Sequence, residues 1–142
     1  MSSEAESYRI FDRWAETYDV DVATSTEFPL AGYRRVLAEA SSQADVRPRM
    51  SVLDLGTGTG NLAGLLFARG CSVWGTDFSP RMIERAQEKY PEIRFLVARL
   101  EDGLPAAFPQ RYDRIVSSYA FHHLGLDDKV RVLQALVCKH LR

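Results

Sequence analysis

The sequence predicts an α/β fold in which a doubly wound parallel sheet follows an arm of helices. From about residue 50 onward, short apolar segments typical of strands alternate with segments whose apolar residues recur every three or four positions. Strands separated by helices imply parallel pairing, because a parallel connection has to cross the sheet. The first strand also runs into a glycine-rich loop that opens a helix. Ligands of such sheets bind beyond the carboxyl ends of the strands, which is where this loop lies.

The N-terminal segment shows helical periodicity in two stretches. Residues 8–19 repeat large apolar side chains about every fourth position, and residues 30–40 do so again after a break at Phe28-Pro29. Proline then ends helical character near residue 48. We therefore expect a two-helix arm over residues 1–45 and a sheet-containing core over residues 50–142, together forming a single domain.

The core is predicted to contain four strands. They are expected at Ser51–Leu55, Ser72–Asp77, Ile93–Ala98 and Tyr112–Ser118. The helix after the glycine loop is predicted to end at Gly70, and Ser79 followed by Pro80 is a typical helix start. A last helix is indicated by apolar residues spaced from Leu126 to Leu141.

Composition narrows the class of protein. The chain has 142 residues, 18 Lys and Arg against 19 Asp and Glu, and a formal net charge of −1. No cluster of positive charge favours nucleic acid as a partner. No apolar run has the length of a membrane span, and the start of the chain lacks the pattern of a secretory signal. Cys71 and Cys138 form neither a disulfide framework nor a metal cluster, so we expect two small buried side chains and a cytoplasmic protein without a metal site.

Acidic residues flank the glycine loop in the pattern of an adenosine-binding site. Asp54 precedes Gly56, Gly58 and Gly60, and Asp77 ends the next strand 21 positions after Gly56. A carboxylate at the end of that strand is placed to accept both hydroxyls of a ribose. Phe78 is placed to lie against an adenine, although a single aromatic residue here is more often part of the core.

The motif Val52-Leu53-Asp54-Leu55-Gly56-Thr57-Gly58-Thr59-Gly60 resembles the first motif of class I S-adenosylmethionine-dependent methyltransferases. A dinucleotide site would have its third glycine where this chain has Asn61, which disfavours a nicotinamide-dependent oxidoreductase. The resemblance extends to Phe11–Asp19, Gly75–Met82 and Tyr112–Leu124. It is particularly close to uncharacterised bacterial small-molecule methyltransferases, and it covers essentially the whole chain.

This resemblance implies a Rossmann-like fold, S-adenosylmethionine as cofactor with S-adenosylhomocysteine as product, and a small-molecule methyl acceptor. The cofactor-binding residues that it implies are Tyr18, Asp54, Gly56, Thr57, Gly58, Gly60, Asp77, Phe78, Met82, Arg99, Leu100 and Ser117. Asp54 and the glycines would hold the amino-acid end, Asp77 the ribose, Phe78 and Leu100 the adenine. Tyr18 and Ser117 would close around the methionine part.

One position departs from the family pattern. Many relatives carry Gly-Asp after the third strand, and that aspartate binds the adenine amino group. The matching positions here are Ala98 and Arg99, and arginine has no hydrogen-bond acceptor. Glu101 or Asp102 is an alternative acceptor, and cofactor affinity is expected to fall below that of typical relatives. The departure keeps open a second hypothesis, a non-catalytic module that binds the cofactor.

The sequence does not identify a catalytic base. Methyl transfer from a sulfonium needs mainly alignment of nucleophile, methyl and sulfur, and needs a base only if the acceptor must lose a proton. His122 and His123 follow the fourth strand and are candidates, but a structural role is the more frequent one for such residues. Tyr119 is a further weak candidate.

The class I fold normally has seven strands, whereas this sequence accounts for four. We therefore expect an incomplete sheet, either in a fragment of a longer enzyme or in a reduced form completed by a partner. An uncovered fourth strand presents an unpaired edge, which a homodimer would protect.

Overall fold

A computed structural model describes residues 3–27, 30–121 and 124–142. Its elements follow the order α1 (Ser3–Trp14), α2 (Tyr18–Thr24), α3 (Tyr33–Gln43), β1 (Ser51–Leu55), α4 (Asn61–Ala68), β2 (Ser72–Asp77), α5 (Pro80–Lys89), β3 (Arg94–Val97), β4 (Arg114–Ser117) and α6 (Leu126–Ala135). A 3₁₀ turn at Leu100–Asp102 follows β3, and a π-helical turn at Leu136–His140 extends α6.

The four strands that lie within the described ranges form one parallel sheet in the order β3-β2-β1-β4. The chain runs outward from β1 through β2 to β3 and then returns to the opposite side of β1 for β4. Strand order therefore reverses at β1, which is the point where doubly wound sheets bind ligands. This confirms the predicted α/β fold, with strand boundaries one to two residues shorter at β3 and β4 than expected.

Alternate residues of the strands face two apolar cores. Val52, Val73 and Phe95 contribute to a core shared with the arm, α4 and α5. Leu53 and Leu55 point the other way, into a core completed by Phe108, Tyr112, Val132 and Leu136. Since successive side chains of a strand point to opposite faces, the nearly unbroken apolar sequence of β1 reflects burial on both sides.

The arm contains three helices, so the expectation of two was wrong. The periodic stripe of residues 8–19 continues across a turn that separates α1 from α2. Asp21 stabilises this turn by accepting hydrogen bonds from Trp14 Nε1 at 2.6 Å and Thr17 Oγ1 at 2.8 Å. Trp14 and Tyr18 thereby stay in contact, with ring centroids 4.7 Å apart, although the helix is interrupted.

Two further expectations concern the C-terminal part. Cys71 is buried as predicted, but Cys138 is exposed like Val137 beside it, since Leu136 is the residue of the π-helical turn that packs into the core. Residues 141 and 142 return to β4, where Leu141 forms a parallel bridge with Tyr112 and Arg142 N donates to Tyr112 O at 2.9 Å. This bridge covers the start of the outer edge of β4.

Candidate cofactor site at the end of the first strand

The glycine loop joins β1 to α4 through three residues in the left-handed region. Gly56, Gly58 and Gly60 have φ values of 66°, 59° and 84°, which side chains other than glycine adopt at a cost. Thr57 N donates to Thr76 O at 2.8 Å and ties the loop to β2. The loop is therefore held in place by the sheet before any ligand binds.

The three glycines meet different surroundings. A Cβ on Gly56 would lie 2.2 Å from Ala120 Cβ, and one on Gly60 would lie 3.1–3.3 Å from Phe95, Tyr90 and Ala86. Those two glycines are required by packing within the protein. Gly58 is different, because the nearest atoms to its Cβ position belong to Tyr18 at 4.0 Å. The open side of the loop is thus at Gly58, beneath the Tyr18 ring.

Asp54 is a buried carboxylate with unsatisfied bonding capacity. It is only 1% exposed at the end of β1, and its Oδ2 accepts from Thr57 Oγ1 at 2.8 Å. Its Oδ1 is buried without a hydrogen-bond partner. Burial raises the pKa of Asp54 to about 7; the Thr57 hydrogen bond and the nearby backbone N–H of Ala63 oppose this shift, and the charge of Asp77 reinforces it. A buried oxygen of this kind is costly unless a donor or a cation meets it.

Asp77 has a different environment at the end of β2. Its Oδ2 accepts from Gly58 N at 2.9 Å and its Oδ1 accepts from Ser79 N at 2.9 Å. Burial raises the pKa of Asp77 to about 6, against the opposing effect of these backbone donors. Each oxygen retains a further lone pair for another donor. The residue therefore fixes the loop and still has capacity for two hydroxyls.

Aromatic side chains cover the loop from the arm side. Tyr18 lies against Tyr33 with ring centroids 6.2 Å apart, and Tyr33 stacks on Tyr119 at 5.5 Å. Tyr119 follows β4 and has a φ of 58°, an uncommon conformation for a tyrosine. The aromatic row thus links α2, α3 and the end of β4 above the switch point of the sheet.

Polar contacts fix the arm above α4 and α5. Asp19 accepts hydrogen bonds from Thr59 Oγ1 at 2.5 Å, Asn61 Nδ2 at 3.0 Å and Lys89 Nζ at 2.7 Å. We call these four residues the Asp19 cluster. Because Asp19 follows Tyr18 directly, the cluster sets the position of the Tyr18 ring.

A second anchor holds α1 against the start of α5. Asp12 Oδ1 accepts from Ser79 Oγ at 2.6 Å and from Arg81 N at 3.1 Å, and Glu16 pairs with Arg81 and Arg85. The sequence predicted Ser79 as a helix start, but it did not predict that Asp12 and Glu16 hold α1 against α5. Asp12 and Glu16 were singled out only as members of the Phe11–Asp19 segment.

Three further residues of the expected cofactor set, Phe78, Ser117 and Met82, differ in how close their side chains come to the glycine loop. Phe78 is half-buried and packs edge-on against Phe11 at 5.5 Å. Ser117 donates from Oγ to Leu55 O at 2.7 Å, which closes the seam between β1 and β4. Met82 is 1% exposed and belongs to the core, so its side chain does not reach the surface of the site.

The departure after β3 is visible in the structure. Arg99 is exposed immediately before the 3₁₀ turn, and its Nε lies 3.9 Å from Glu101 Oε2. Leu100 packs against the core on the α6 side of the sheet. His122 and His123, the two candidate bases, lie outside the described residues. Among the described residues, no group of three or more His, Cys, Asp and Glu is arranged to hold a metal ion.

Comparison with known proteins decides the family. A family described as "Methyltransferase domain" matches residues 52–141. The chain belongs to the class I methyltransferases. It is 34% identical over 137 residues to an uncharacterized methyltransferase of Alkaliphilus oremlandii, a match that covers 93% of this chain and 61% of that protein. It is 38% identical over 120 residues to one of Geobacillus thermodenitrificans, covering 81% and 53%.

A solved structure agrees with this assignment. The TehB-like SAM-dependent methyltransferase from Corynebacterium glutamicum superimposes with a TM-score of 0.67 at 25% identity, covering 94% of the present chain and 67% of that chain. The present chain spans 53–61% of the length of the curated relatives named above. None of the helices in the described ranges is both long and apolar enough to cross a membrane.

The hydrogen-bond acceptors at this site fit the cofactor of this family. S-adenosylmethionine carries an ammonium group and a sulfonium, and the site offers a buried carboxylate oxygen that has no partner. It also offers a second carboxylate with spare acceptor capacity and an open approach at Gly58. A nicotinamide dinucleotide would require a place for two phosphates, and two buried carboxylates beside the loop oppose that charge.

Proposed function

We propose that this chain uses S-adenosylmethionine to methylate a small-molecule acceptor. The observation that carries the proposal is the unpartnered Oδ1 of Asp54, buried beside a glycine loop at the switch point of the sheet. A buried acidic oxygen without a donor is stabilised by a cation that reaches it. The ammonium of the cofactor's amino-acid end has that charge.

The other proposed contacts with the cofactor come from residues at the carboxyl ends of the strands and in the loops that follow them. Asp77 accepts the ribose hydroxyls, and Phe78 and Leu100 line the adenine end. Gly56, Thr57, Gly58 and Gly60 present backbone to the methionine part, with Tyr18 above it and Ser117 beside it. Met82 supports α5 from within the core, and Arg99 stands where relatives carry an acceptor for adenine.

The cofactor supplies a methyl carbon already activated by its sulfonium leaving group. The chain's contribution is to bind, orient and exclude water. Tyr18 shields the loop, the Asp19 cluster fixes Tyr18, and the aromatic row reaches from Tyr18 to Tyr119 at the end of β4. Holding the acceptor in line is an alignment effect that is able to supply most of the rate enhancement.

A non-catalytic cofactor-binding module is the second candidate, and Arg99 is the observation in its favour. Arg99 removes an acceptor that many relatives use for adenine, and its neighbour Glu101 lies close to its guanidinium. Turnover distinguishes the two candidates. Release of S-adenosylhomocysteine in the presence of small amines, thiols or phenols supports an enzyme, whereas saturable binding without release supports a binding module.

The first experiment is calorimetric titration of the 142-residue chain with S-adenosylhomocysteine. We expect one saturable site, weakened about ten- to hundredfold in Asp54→Asn and in Asp77→Ala, because a hydrogen bond to a charged group contributes about 1.5–3 kcal/mol. Asp45→Asn is the matched control, since its side chain is 85% exposed at the opposite end of the sheet.

Two other outcomes of the titration would change the proposal. Equal affinity in Asp54→Asn and Asp45→Asn would remove the role proposed for Asp54. If the folded chain does not bind, an Arg99→Asp variant tests whether the missing acceptor is responsible. Binding restored by Arg99→Asp would retain the site and place the defect at the adenine end.

A further inference from the structure

Two tyrosine hydroxyls meet above the glycine loop. Tyr18 Oη lies 3.5 Å from Tyr33 Oη, and Tyr33 Oη also accepts a hydrogen bond from Asn61 Nδ2 at 3.3 Å. Both tyrosines are buried, and Tyr18 Oη lies 4.0 Å from the position that a Cβ on Gly58 would take. The two hydroxyls, which we call the tyrosine pair, therefore lie at the open side of the loop.

The tyrosine pair has one more proton than its internal contacts use. A tyrosine hydroxyl donates one hydrogen bond and is able to accept others. The bond between Tyr18 and Tyr33 uses one of the two hydroxyl protons, and Asn61 contributes a proton of its own. Within the described ranges these are the hydrogen bonds of the two hydroxyls, so one O–H remains for a ligand, whichever tyrosine donates to the other. A buried donor is costly unless an acceptor meets it.

The hydroxyls of the tyrosine pair stay protonated at neutral pH. Burial raises the pKa of Tyr33 and of Tyr18, and the charge of Asp54 adds to the effect at Tyr33, as that of Asp77 does at Tyr18. The hydrogen bonds that Tyr33 accepts oppose this shift without cancelling it. The pair is therefore a neutral donor within electrostatic range of both carboxylates of the site.

Other donors at the loop are engaged within the protein. The backbone N–H groups of Thr57, Gly58 and Gly60 all donate to acceptors of the loop itself or of β2. Lys89 directs its ammonium at the three other members of the Asp19 cluster, which accounts for its three protons. Among these donors, the tyrosine pair is the one with a proton left for a ligand.

We propose that the tyrosine pair donates a hydrogen bond to the carboxylate of S-adenosylmethionine, which makes Tyr33 a cofactor-binding residue outside the recognised motifs. The assignment rests on the proposed function, in which Asp54 binds the ammonium of the same amino-acid end. Ammonium and carboxylate share one carbon, so a donor without negative charge has to meet the carboxylate close to Asp54. A hydrogen bond to a charged acceptor is also about twice as strong as one between neutral groups.

Calorimetric titration with two ligands tests the assignment. S-adenosylhomocysteine carries the carboxylate, whereas its decarboxylated analogue ends in a primary amine and keeps only the ammonium. We expect the double variant Tyr18→Phe, Tyr33→Phe to weaken S-adenosylhomocysteine about ten- to hundredfold and to change affinity for the analogue by less than about twofold. Both substitutions keep the aromatic ring and remove only the hydroxyl, so a general loosening of the arm would weaken both ligands alike.

Tyr112→Phe is the matched control for loss of a tyrosine hydroxyl. Among the described residues the Tyr112 hydroxyl has no partner, and it is buried in the core on the other face of the sheet, so neither affinity should change. Thermal unfolding establishes that the variants fold. An equal loss for both ligands, or no loss in the double variant, overturns the assignment and leaves the Asp54 site in place. If the parent chain binds neither ligand, the proposed function fails and the assignment fails with it.

Discussion

The helices on the two faces of the sheet differ in the share of charged contacts that hold them in place. On one face, α1 and α2 are anchored by carboxylates: Asp12, Glu16 and Asp19 all bind partners on α4, α5 or the residues just before them. On the other face, α6 and the π-helical turn after it pack through Val132 and Leu136, while Leu126, Val130 and Leu133 are exposed. Apolar burial is strong and insensitive to salt, whereas ion pairs at a surface are weak and screened. The arm adds these carboxylate contacts to the burial of Tyr18, Val22, Tyr33 and Leu37, so part of its docking is screened by salt, and it lies over the candidate site.

The largest expected effect on stability comes from a substitution at Gly56, in the loop between β1 and α4. Gly56→Ala places a Cβ 2.2 Å from Ala120 Cβ at a φ of 66°, so we expect a loss of about 2–4 kcal/mol in the free energy of unfolding. Gly103→Ala is the control, since it has a φ of 81° with nothing within 4 Å of the added atom. Urea unfolding measures both. Equal losses would mean that backbone strain, and not the contact with Ala120, makes Gly56 necessary.

Release of the arm is expected to have the next largest effect. Asp19→Ala removes the acceptor shared by Thr59, Asn61 and Lys89, and we expect a loss of about 1–2 kcal/mol together with faster amide exchange over residues 11–22. Hydrogen exchange followed by mass spectrometry reads this segment separately from the sheet. Exchange that accelerates equally in β1 would show that the arm and the core unfold together.

The pH dependence of stability sharpens the comparison at Asp54. Its pKa is raised to about 7 from an ordinary value of 3.8, so the unliganded fold favours the protonated form. The stability that this provides is present below about pH 4 and is lost as the pH rises through about 7. Asp77, with a pKa of about 6, acts in the same direction. We expect Asp54→Asn to flatten the decline between pH 5 and pH 8, measured by thermal unfolding. An unchanged slope in the variant would assign the decline to other groups.

The smallest expected effect concerns the exposed pairs of Glu16 with Arg81 and Arg85. These side chains are between 38% and 49% exposed, so Glu16→Gln should change the unfolding midpoint only slightly. Added salt should reduce the difference between the variant and the parent chain further. If Glu16→Gln shifts the unfolding midpoint as much as Asp19→Ala does, these ion pairs are the main contacts that hold α1 against α5.

The sheet was predictable because its signals are local. The apolar run of β1, the loop from Gly56 to Gly60 and the cap at Ser79 each specify their structure within a few residues, and all three are present in the fold. The arm was less predictable, because Asp21 stabilises a turn inside a stripe that still reads as one helix. The core position of Met82 agrees with the apolar periodicity of α5, which puts Met82, Ile83, Ala86 and Tyr90 on its inner face.

Contacts between distant residues account for most of what the sequence left open at the site. Asp19 meets Thr59, 40 positions away, and Asp12 meets Ser79, 67 positions away. Such pairs depend on the tertiary arrangement of the arm. The unpartnered oxygen of Asp54 was also not visible in the motif, although the residue itself was identified. Its significance depends on burial and on which oxygen Thr57 occupies.

The position of Tyr18 above Gly58 has a kinetic consequence. On the proposed function, a ligand that reaches Gly58 meets the Tyr18 ring, so we expect movement of α2 to influence the rates of association and release. Tyr18 and Val22 of α2 are buried in the core, and Asp19 is held by Thr59, Asn61 and Lys89, so that movement has to break apolar as well as polar contacts. Slow exchange of a ligand at this loop would then reflect the docking of α2, and not only the carboxylates beneath the ring.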